Sequence, residues 1–173
     1  KPRELADIQA DIAELRDRFP IAPGAAVDKA GRKAIGVDCK GAGLRWSKPL
    51  SDPFGGTTAS NGRHQVKLTE LSAALDAPEA VPFILSGSLQ FSDAALRTYA
   101  HPDLLRVAET INGEDFAPFN EVLFIKDPGL GAAVSWHQDG DTHWDNPEFD
   151  EGIHGFNFMA QVYGSSPVNG VWT

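Results

Sequence analysis

Cysteine is almost absent from this chain, because Cys39 is the only one among 173 residues. A single thiol excludes a disulfide framework within the chain and suits a reducing compartment, so we expect a cytoplasmic protein. Long apolar runs are also missing. No run is long enough to cross a membrane, and no signal-peptide pattern is visible. We therefore expect neither a disulfide scaffold nor a membrane partner.

Positive charge is missing from the last part of the chain, since no lysine or arginine follows Lys126. The chain has 15 basic and 24 acidic residues, a net charge of −9, and residues 127–173 hold seven of the acids. A chain of this charge repels nucleic acid, so we expect no nucleic-acid partner. A cluster of acids is usually a solvated surface, but here Asp139 stands two residues after His137.

Several common catalytic motifs are absent. The chain has no Gly-x-Ser-x-Gly elbow and no phosphate-cradling loop, which argues against a serine hydrolase of that type and against a nucleotide site. Gly41-x-Gly43 lacks the third glycine and the strand–helix context of a dinucleotide loop. A hydrophobic content of 42% over 173 residues predicts one domain with a real core.

Helical patterns dominate the first two thirds of the chain. Apolar residues at spacings of three and four predict a helix over residues 2–19, and a second is predicted over residues 66–75. Ser92 can cap a third helix, with Leu96 and Tyr99 on its buried side. A fourth helix begins at Pro102, which His101 precedes as a capping or surface residue, and stops at Asn112-Gly113. Its predicted apolar side chains are Leu104, Leu105, Ala108 and Ile111.

Residues 40–65 are predicted to be irregular, because glycine and proline recur along them. A loop of this length is often a lid or a binding loop. The side chains that could meet an anionic substrate there are Arg45, Trp46, Lys48, Arg63 and His64. The alternative, which we favour, is a solvated surface loop.

Strands are predicted after residue 117. Residues 120–126 alternate between two faces, which are Asn120, Val122, Phe124, Lys126 on one side and Glu121, Leu123, Ile125 on the other. A further strand is predicted over residues 156–163, followed by a turn over residues 164–167. A last strand is predicted at Val171-Trp172-Thr173. This succession favours a β-rich second part.

The most informative motif is His137-x-Asp139, which follows the apolar run Ala132-Ala133-Val134. On a strand, residues two apart project from the same face, so His137 and Asp139 would point together into one cavity. One imidazole and one carboxylate are two of the three ligands of a two-His-one-carboxylate triad. Such a triad holds ferrous iron and leaves positions open for substrate and oxygen.

The surroundings of this motif resemble the phytanoyl-CoA dioxygenase-like family of Fe(II)/2-oxoglutarate oxygenases. The matching pieces, in order, are Lys126-Asp127-Pro128-Gly129, Trp136-His137-Gln138-Asp139, and Asn169-Gly170 opening a strand. The resemblance covers residues 119–173, and the earlier helical region fits more loosely.

The resemblance implies a double-stranded β-helix, a cupin-like jelly roll, behind a helical amino-terminal layer, so that the chain is mainly β with N-terminal helices (α+β). Residues 1–173 would form a single oxygenase domain. Within it, residues 1–115 would be a mostly helical and loop layer, and residues 116–173 the first part of the β-helix core.

In the resembling family, a second iron-binding His and a 2-oxoglutarate-binding Arg follow the strand that ends this chain. We therefore expect both residues beyond Thr173. The expected His would be the third iron ligand, and residues 1–173 would be the front part of a longer protein.

The resemblance also implies roles for individual residues. His137 and Asp139 would bind Fe(II) and be essential for catalysis, and O2 and 2-oxoglutarate would serve to hydroxylate a small organic or acyl substrate. The candidates for the 2-oxoglutarate wall are Asn120, Lys126, Met159 and Gln161. A solvated strand end is the alternative for Lys126, and core packing is the alternative for Met159. His143 and Trp144 would line the substrate channel.

Two other functions remain open for the same motif. His143 could complete a local site with His137 and Asp139, which could hold zinc for hydrolysis if the chain turned sharply at Gly140. Alternatively, the fold could be a β-helix binding module without catalysis. Metal content and oxygen-dependent succinate release would separate these functions.

Overall fold

A computed structural model describes residues 2–37, 39–47, 78–118, 120–127, 157–166 and 170 of the chain. The helices are α1 (Pro2–Asp17), α2 (Asp93–Tyr99) and α3 (Pro102–Asn112), with a single 3-10 turn at Ser88–Gln90. The strands are β1 (Gly43–Ser47), β2 (Val81–Ser86) and β3 (Val122–Phe124). The helix predicted over residues 66–75 and the strand predicted over residues 171–173 lie outside the described residues.

The strands form one antiparallel sheet in the order β1-β2-β3, so β2 is the central strand. Leu85 of β2 pairs with Leu44 on one side and with Leu123 on the other. Alternate residues of β2 are buried, as expected for a strand with one face on a core. The register between β1 and β2 shifts between Arg45 and Trp46, where Trp46 comes to lie opposite Pro82. Proline has no N–H to donate to the ladder, which accounts for an irregularity at this point.

Both β1 and β2 differ from the prediction. Residues 43–47 belong to a stretch predicted to be irregular, and residues 1–115 were expected to form a mostly helical and loop layer. The glycines around β1 obscured its alternation, and Pro82 interrupts the apolar run that forms β2. The amino-terminal part therefore contributes two of the three strands of the sheet.

The first predicted helix is confirmed as α1, which buries Ile8 and Leu15 two turns apart. Leu15 joins Ile35, Leu85 and Ile125 in the central core cluster. The partly buried hydrophobic residues packed around this cluster are Phe19, Leu44, Phe91 and Leu123. The core thus connects α1, the loop that follows it, and the two strands β2 and β3.

The loop after α1 is organised by Asp28, whose carboxylate is almost completely buried. Its Oδ1 accepts hydrogen bonds from the backbone N–H groups of Ala30 and Arg32, and its Oδ2 accepts one from Arg32 Nε at 2.8 Å. Burial by itself raises the pKa of this carboxyl, but the hydrogen bonds from Arg32 and Ala30 outweigh it and hold the pKa below its ordinary value. The loop is thereby folded back so that Ile35 N–H reaches the carbonyl of Arg18 at 2.8 Å.

The predicted start of α2 and both predicted ends of α3 are confirmed. Ser92 caps α2 by accepting a hydrogen bond from Ala95 N, and His101 caps α3 through Nδ1, which accepts from Asp103 N. Gly113 ends α3 at φ 85°, a left-handed value that favours glycine. These caps are local chemistry, which is why they can be predicted from the sequence.

The predicted buried faces of these two helices are only partly correct. Leu96 is 46% exposed, and Ala94 is the buried residue of α2. On α3 only Ala108 is buried, whereas Leu105 and Ile111 are 37% and 42% exposed. Periodicity finds an apolar stripe, but it does not establish which stripe the rest of the chain covers.

The fold is therefore a mixed α+β arrangement of helices on a small antiparallel sheet. The predicted strand over residues 120–126 is shorter, at Val122–Phe124, and residues 157–166 contain no strand. A double-stranded β-helix is not seen among the described residues. Within the same residues, the structure has no helix that is long and apolar enough to cross a membrane.

Candidate functional site

The residues predicted to bind the metal and the substrate, which are His137, Asp139, His143 and Trp144, lie outside the described residues. Among the residues that the structure does describe, no three His, Cys, Asp or Glu side chains cluster as a metal site would require. The structure therefore describes the segments that precede and follow the His137-x-Asp139 motif, which are residues 120–127 and 157–166.

The third iron ligand is predicted to be a His beyond Thr173, and Thr173 itself lies outside the described residues. Within the described part of the chain, His101 is the only histidine. Its Nδ1 accepts a hydrogen bond from Asp103 N at 3.2 Å, so this imidazole serves as a helix cap. The described part of the chain thus gives His101 a structural role, and a third ligand beyond Thr173 stays a prediction.

A small open cleft of about 270 Å³ lies where β2 ends and the chain enters β3. Its lining residues are Gly41, Ser86, Gly87, Tyr99, Pro118, Asn120 and Glu121. Gly87 adopts φ 77°, and a Cβ on it would stand 2.7 Å from the Gly41 carbonyl oxygen. Only glycine permits this close approach of two backbone segments at the edge of the cleft.

Glu121 forms the acidic side of the cleft. Its Oε2 accepts a hydrogen bond from Ser88 Oγ at 2.7 Å, and its Oε1 lies 3.5 Å from the backbone N of Leu89. These contacts fix the carboxylate against the 3-10 turn that follows β2. Glu121 directly precedes β3 and is half-buried.

Tyr99 joins three parts of the chain at the cleft. Its hydroxyl donates a hydrogen bond to the carbonyl oxygen of Asn120 at 3.3 Å, and its ring lies 6.2 Å from that of Phe158, centroid to centroid. Burial raises the pKa of Tyr99, and the nearby charge of Glu121 raises it further. The hydroxyl therefore stays protonated at neutral pH and remains a donor. Sequence reasoning placed Tyr99 only on a buried helix face and missed this role.

Asn120 is the one predicted cosubstrate residue that lines the cleft. It is exposed, and its Oδ1 accepts a hydrogen bond from the N–H of Glu121 at 2.9 Å. Tyr99 contacts both Asn120 and Phe158, so it links residue 120 to the segment that contains Met159 and Gln161. That Asn120, Met159 and Gln161 line a common cosubstrate site stays a prediction.

Met159 and Gln161 were predicted to share the face of a strand, but no strand forms at these positions. They are nevertheless adjacent, because Gln161 Nε2 donates to Met159 Sδ at 2.9 Å. Met159 is 57% exposed, so its side chain is not packed in the core of the described residues.

Lys126 lies just beyond β3 and is exposed, as expected for a strand end. On its own strand face, Phe124 is 47% exposed and meets Phe83 edge to face at 5.9 Å. The opposite face packs on the core through Leu123 and Ile125. The face that the resemblance directs toward the cosubstrate is thus the more exposed one in this part of the structure.

The electrostatics of the cleft do not suit a dicarboxylate. Glu121 is the only charged residue among the described residues that line it, and a carboxylate disfavours a second anion nearby. An anionic cosubstrate would therefore need a cation from elsewhere, and Lys126 is the closest in sequence to the His137-x-Asp139 motif.

Comparison of the chain with models of known protein families, with characterised proteins and with solved structures finds no match.

Proposed function

We propose that this chain is the front part of a non-haem Fe(II)/2-oxoglutarate-dependent dioxygenase that hydroxylates a small organic or acyl substrate. The observation that carries the proposal is His137-x-Asp139 directly after an apolar run, between Lys126-Asp127-Pro128-Gly129 and Asn169-Gly170. Two of the three ligands of an iron-binding facial triad would then come from one strand. The third would be a His beyond Thr173.

The proposed fold is a double-stranded β-helix behind the helices. In support, the described strands are antiparallel throughout, and β3 ends two residues before Lys126, where the Lys126-Asp127-Pro128-Gly129 sequence begins. Antiparallel jelly rolls are built from such strands. Cytoplasmic location and the absence of nucleic-acid and membrane partners belong to the same proposal.

In this proposal His137 and Asp139 hold the metal. When bound, iron and 2-oxoglutarate supply the oxidation of a C–H bond with O2, and the protein supplies orientation and exclusion of water. Lys126 would contribute positive charge toward 2-oxoglutarate, beside the Arg expected beyond Thr173, because residues 127–173 contain no basic residue. The wall beside it would be formed by Asn120, Met159 and Gln161, with His143 and Trp144 toward the substrate.

Asp139 also determines the kind of oxidation. Some relatives of the resembling family halogenate carbon, and in them the ligand carboxylate is replaced by a small residue, so that halide can occupy the iron. Here the Asp139 carboxylate would fill that position, and its charge disfavours a second anion at the metal. We therefore assign hydroxylation rather than halogenation.

Metal titration separates this function from a local zinc site. Residues 1–173 alone carry two of the three proposed ligands, so anaerobic calorimetric titration with Fe(II) should show weak binding. The full-length protein should bind Fe(II) with one-to-one stoichiometry and lose that binding in His137→Ala. Tight one-to-one binding of zinc by residues 1–173, abolished by His143→Ala, would instead establish the local hydrolytic site.

A further inference from the structure

Helix α1 presents three different sides to the rest of the chain. Ile8 and Leu15 occupy the core side. On a second side, Asp11 Oδ2 accepts a hydrogen bond from Ser92 Oγ at 2.6 Å, and Asp7 lies 3.6 Å from Arg97 of α2. The helix is therefore fixed both to the core and to α2, and it can serve as a rigid support for whatever its third side holds.

The third side of α1 carries Gln9 and Arg16, which are seven residues apart. Seven residues are two helical turns, so these side chains project in nearly the same direction about 10 Å apart along the axis. Arg16 Nη2 donates to both carboxylate oxygens of Asp127, at 2.8 and 3.1 Å. Gln9 Nε2 donates to the carbonyl oxygen of Val162 at 2.9 Å.

These two contacts hold the two ends of the same stretch of chain. Asp127 directly follows Lys126 after β3, and Val162 directly follows Gln161. The intervening residues include the His137-x-Asp139 motif and both Met159 and Gln161. One face of one helix therefore contacts the chain at Asp127, ten residues before His137, and at Val162, directly after Gln161.

We propose that Arg16 and Gln9 are positioning residues, and that α1 is a two-point anchor that holds the chain at Asp127 and Val162, on either side of the His137-x-Asp139 motif. The proposal rests on the proposed function for the identity of the metal. The anchor itself stands on the two contacts. Neither residue touches the reacting atoms, and both act through Asp127 and Val162.

The test compares Arg16→Gln, Asp127→Asn and Gln9→Met in the full-length protein. Arg106→Gln is the matched control, because Arg106 makes an exposed ion pair with Asp103 at 3.0 Å on α3, away from α1. Arg16→Gln and Asp127→Asn each remove the exposed Arg16–Asp127 ion pair and should weaken Fe(II) binding by about two- to fivefold. Arg106→Gln should leave Fe(II) binding unchanged. The double variant Arg16→Gln/Asp127→Asn should be no worse than either single variant. Arg16→Lys, which keeps the charge, should recover part of the affinity.

Amide hydrogen exchange provides a readout that does not depend on the metal. Arg16→Gln should accelerate exchange at residues 123–127, and Gln9→Met should accelerate it at residues 160–163, with the control unchanged at both. Unchanged exchange at these ends would overturn the anchor. Faster exchange without any change in Fe(II) affinity would overturn its positioning role. If the wild-type protein binds no Fe(II), the proposed function fails, and the exchange data alone decide whether the anchor exists.

Discussion

Truncation of Leu85 to alanine should cause a large loss of stability. Leu85 has no exposed surface, and it sits on the central strand between Leu44 and Leu123. The side chain also belongs to the core cluster with Leu15, Ile35 and Ile125. Such a site is enclosed by rigid elements on several sides and can collapse little around a cavity. The free energy of unfolding should therefore fall by about 3–5 kcal/mol, the upper part of the range for buried leucines.

Leu96→Ala is the matched control, because it removes the same atoms from a side chain that is 46% exposed. Its cost should be about 1 kcal/mol, roughly half of the transfer free energy of a fully buried leucine. Urea denaturation of both variants, followed by far-UV circular dichroism, measures the difference through the midpoint at constant slope. Equal losses for the two variants, or a loss below about 1.5 kcal/mol for Leu85→Ala, would refute the placement of β2 at the centre of the sheet.

Three further predictions concern the site and the loop after α1. Lys126→Ala should raise the KM for 2-oxoglutarate with a smaller effect on the KM for the organic substrate, and an unchanged KM would make Lys126 a surface residue. If the proposed function holds, the full-length protein, given excess chloride, Fe(II), O2 and 2-oxoglutarate, should add one oxygen to its substrate, as measured by mass spectrometry. A chlorinated product would contradict the role proposed for Asp139, and Asp139→Ala should lose most hydroxylation. The pKa of the Asp28 carboxyl is lower in the folded protein than in the unfolded chain. The charged carboxylate therefore stabilises the fold above the ordinary aspartate pKa, and this stabilisation is lost as the pH falls through the pKa of the folded state. Asp28→Asn should accordingly lower the Tm at neutral pH, with the difference from wild type shrinking below about pH 4; a difference independent of pH would show that the charge of Asp28 does not stabilise the loop.

The helices could be predicted from the sequence because their signals are local. The spacing of Ile8 and Leu15 predicts α1, and Ser92, His101 and Gly113 mark helix ends through contacts within one turn. No partner from a distant part of the chain is needed to interpret these signals.

The sheet and the helix faces could not be predicted in the same way, because they depend on distant contacts. β1 is a strand because it pairs with β2. Pro82 interrupts the alternation of apolar and polar residues in β2, so the sequence pattern does not indicate a strand there. The exposure of Leu96 depends on which side of α2 the rest of the chain covers, and the spacing of apolar residues does not give that information.

In the candidate site, too, the features with a local signal could be predicted and those that depend on distant contacts could not. The exposure of Lys126 at a strand end was among the alternatives that the sequence offered. Tyr99 contacts the segments that hold Asn120 and Phe158, and their sharing of a cosubstrate site stays a prediction. Tyr99, which links these segments, gives no signal in the sequence beyond a helical position. The anchoring of Asp127 by Arg16 spans 111 positions and is equally invisible in the local pattern.

Oxygen-dependent release of succinate tests the central claim most directly. The full-length protein, given Fe(II) and 2-oxoglutarate, should release succinate when O2 is admitted and none under anaerobic conditions. His137→Ala, with its fold checked by circular dichroism, should release none in either case. Succinate release that is equal in wild type and His137→Ala, or no release by a wild-type protein that binds Fe(II) tightly, would contradict the assignment of this chain to the 2-oxoglutarate oxygenases.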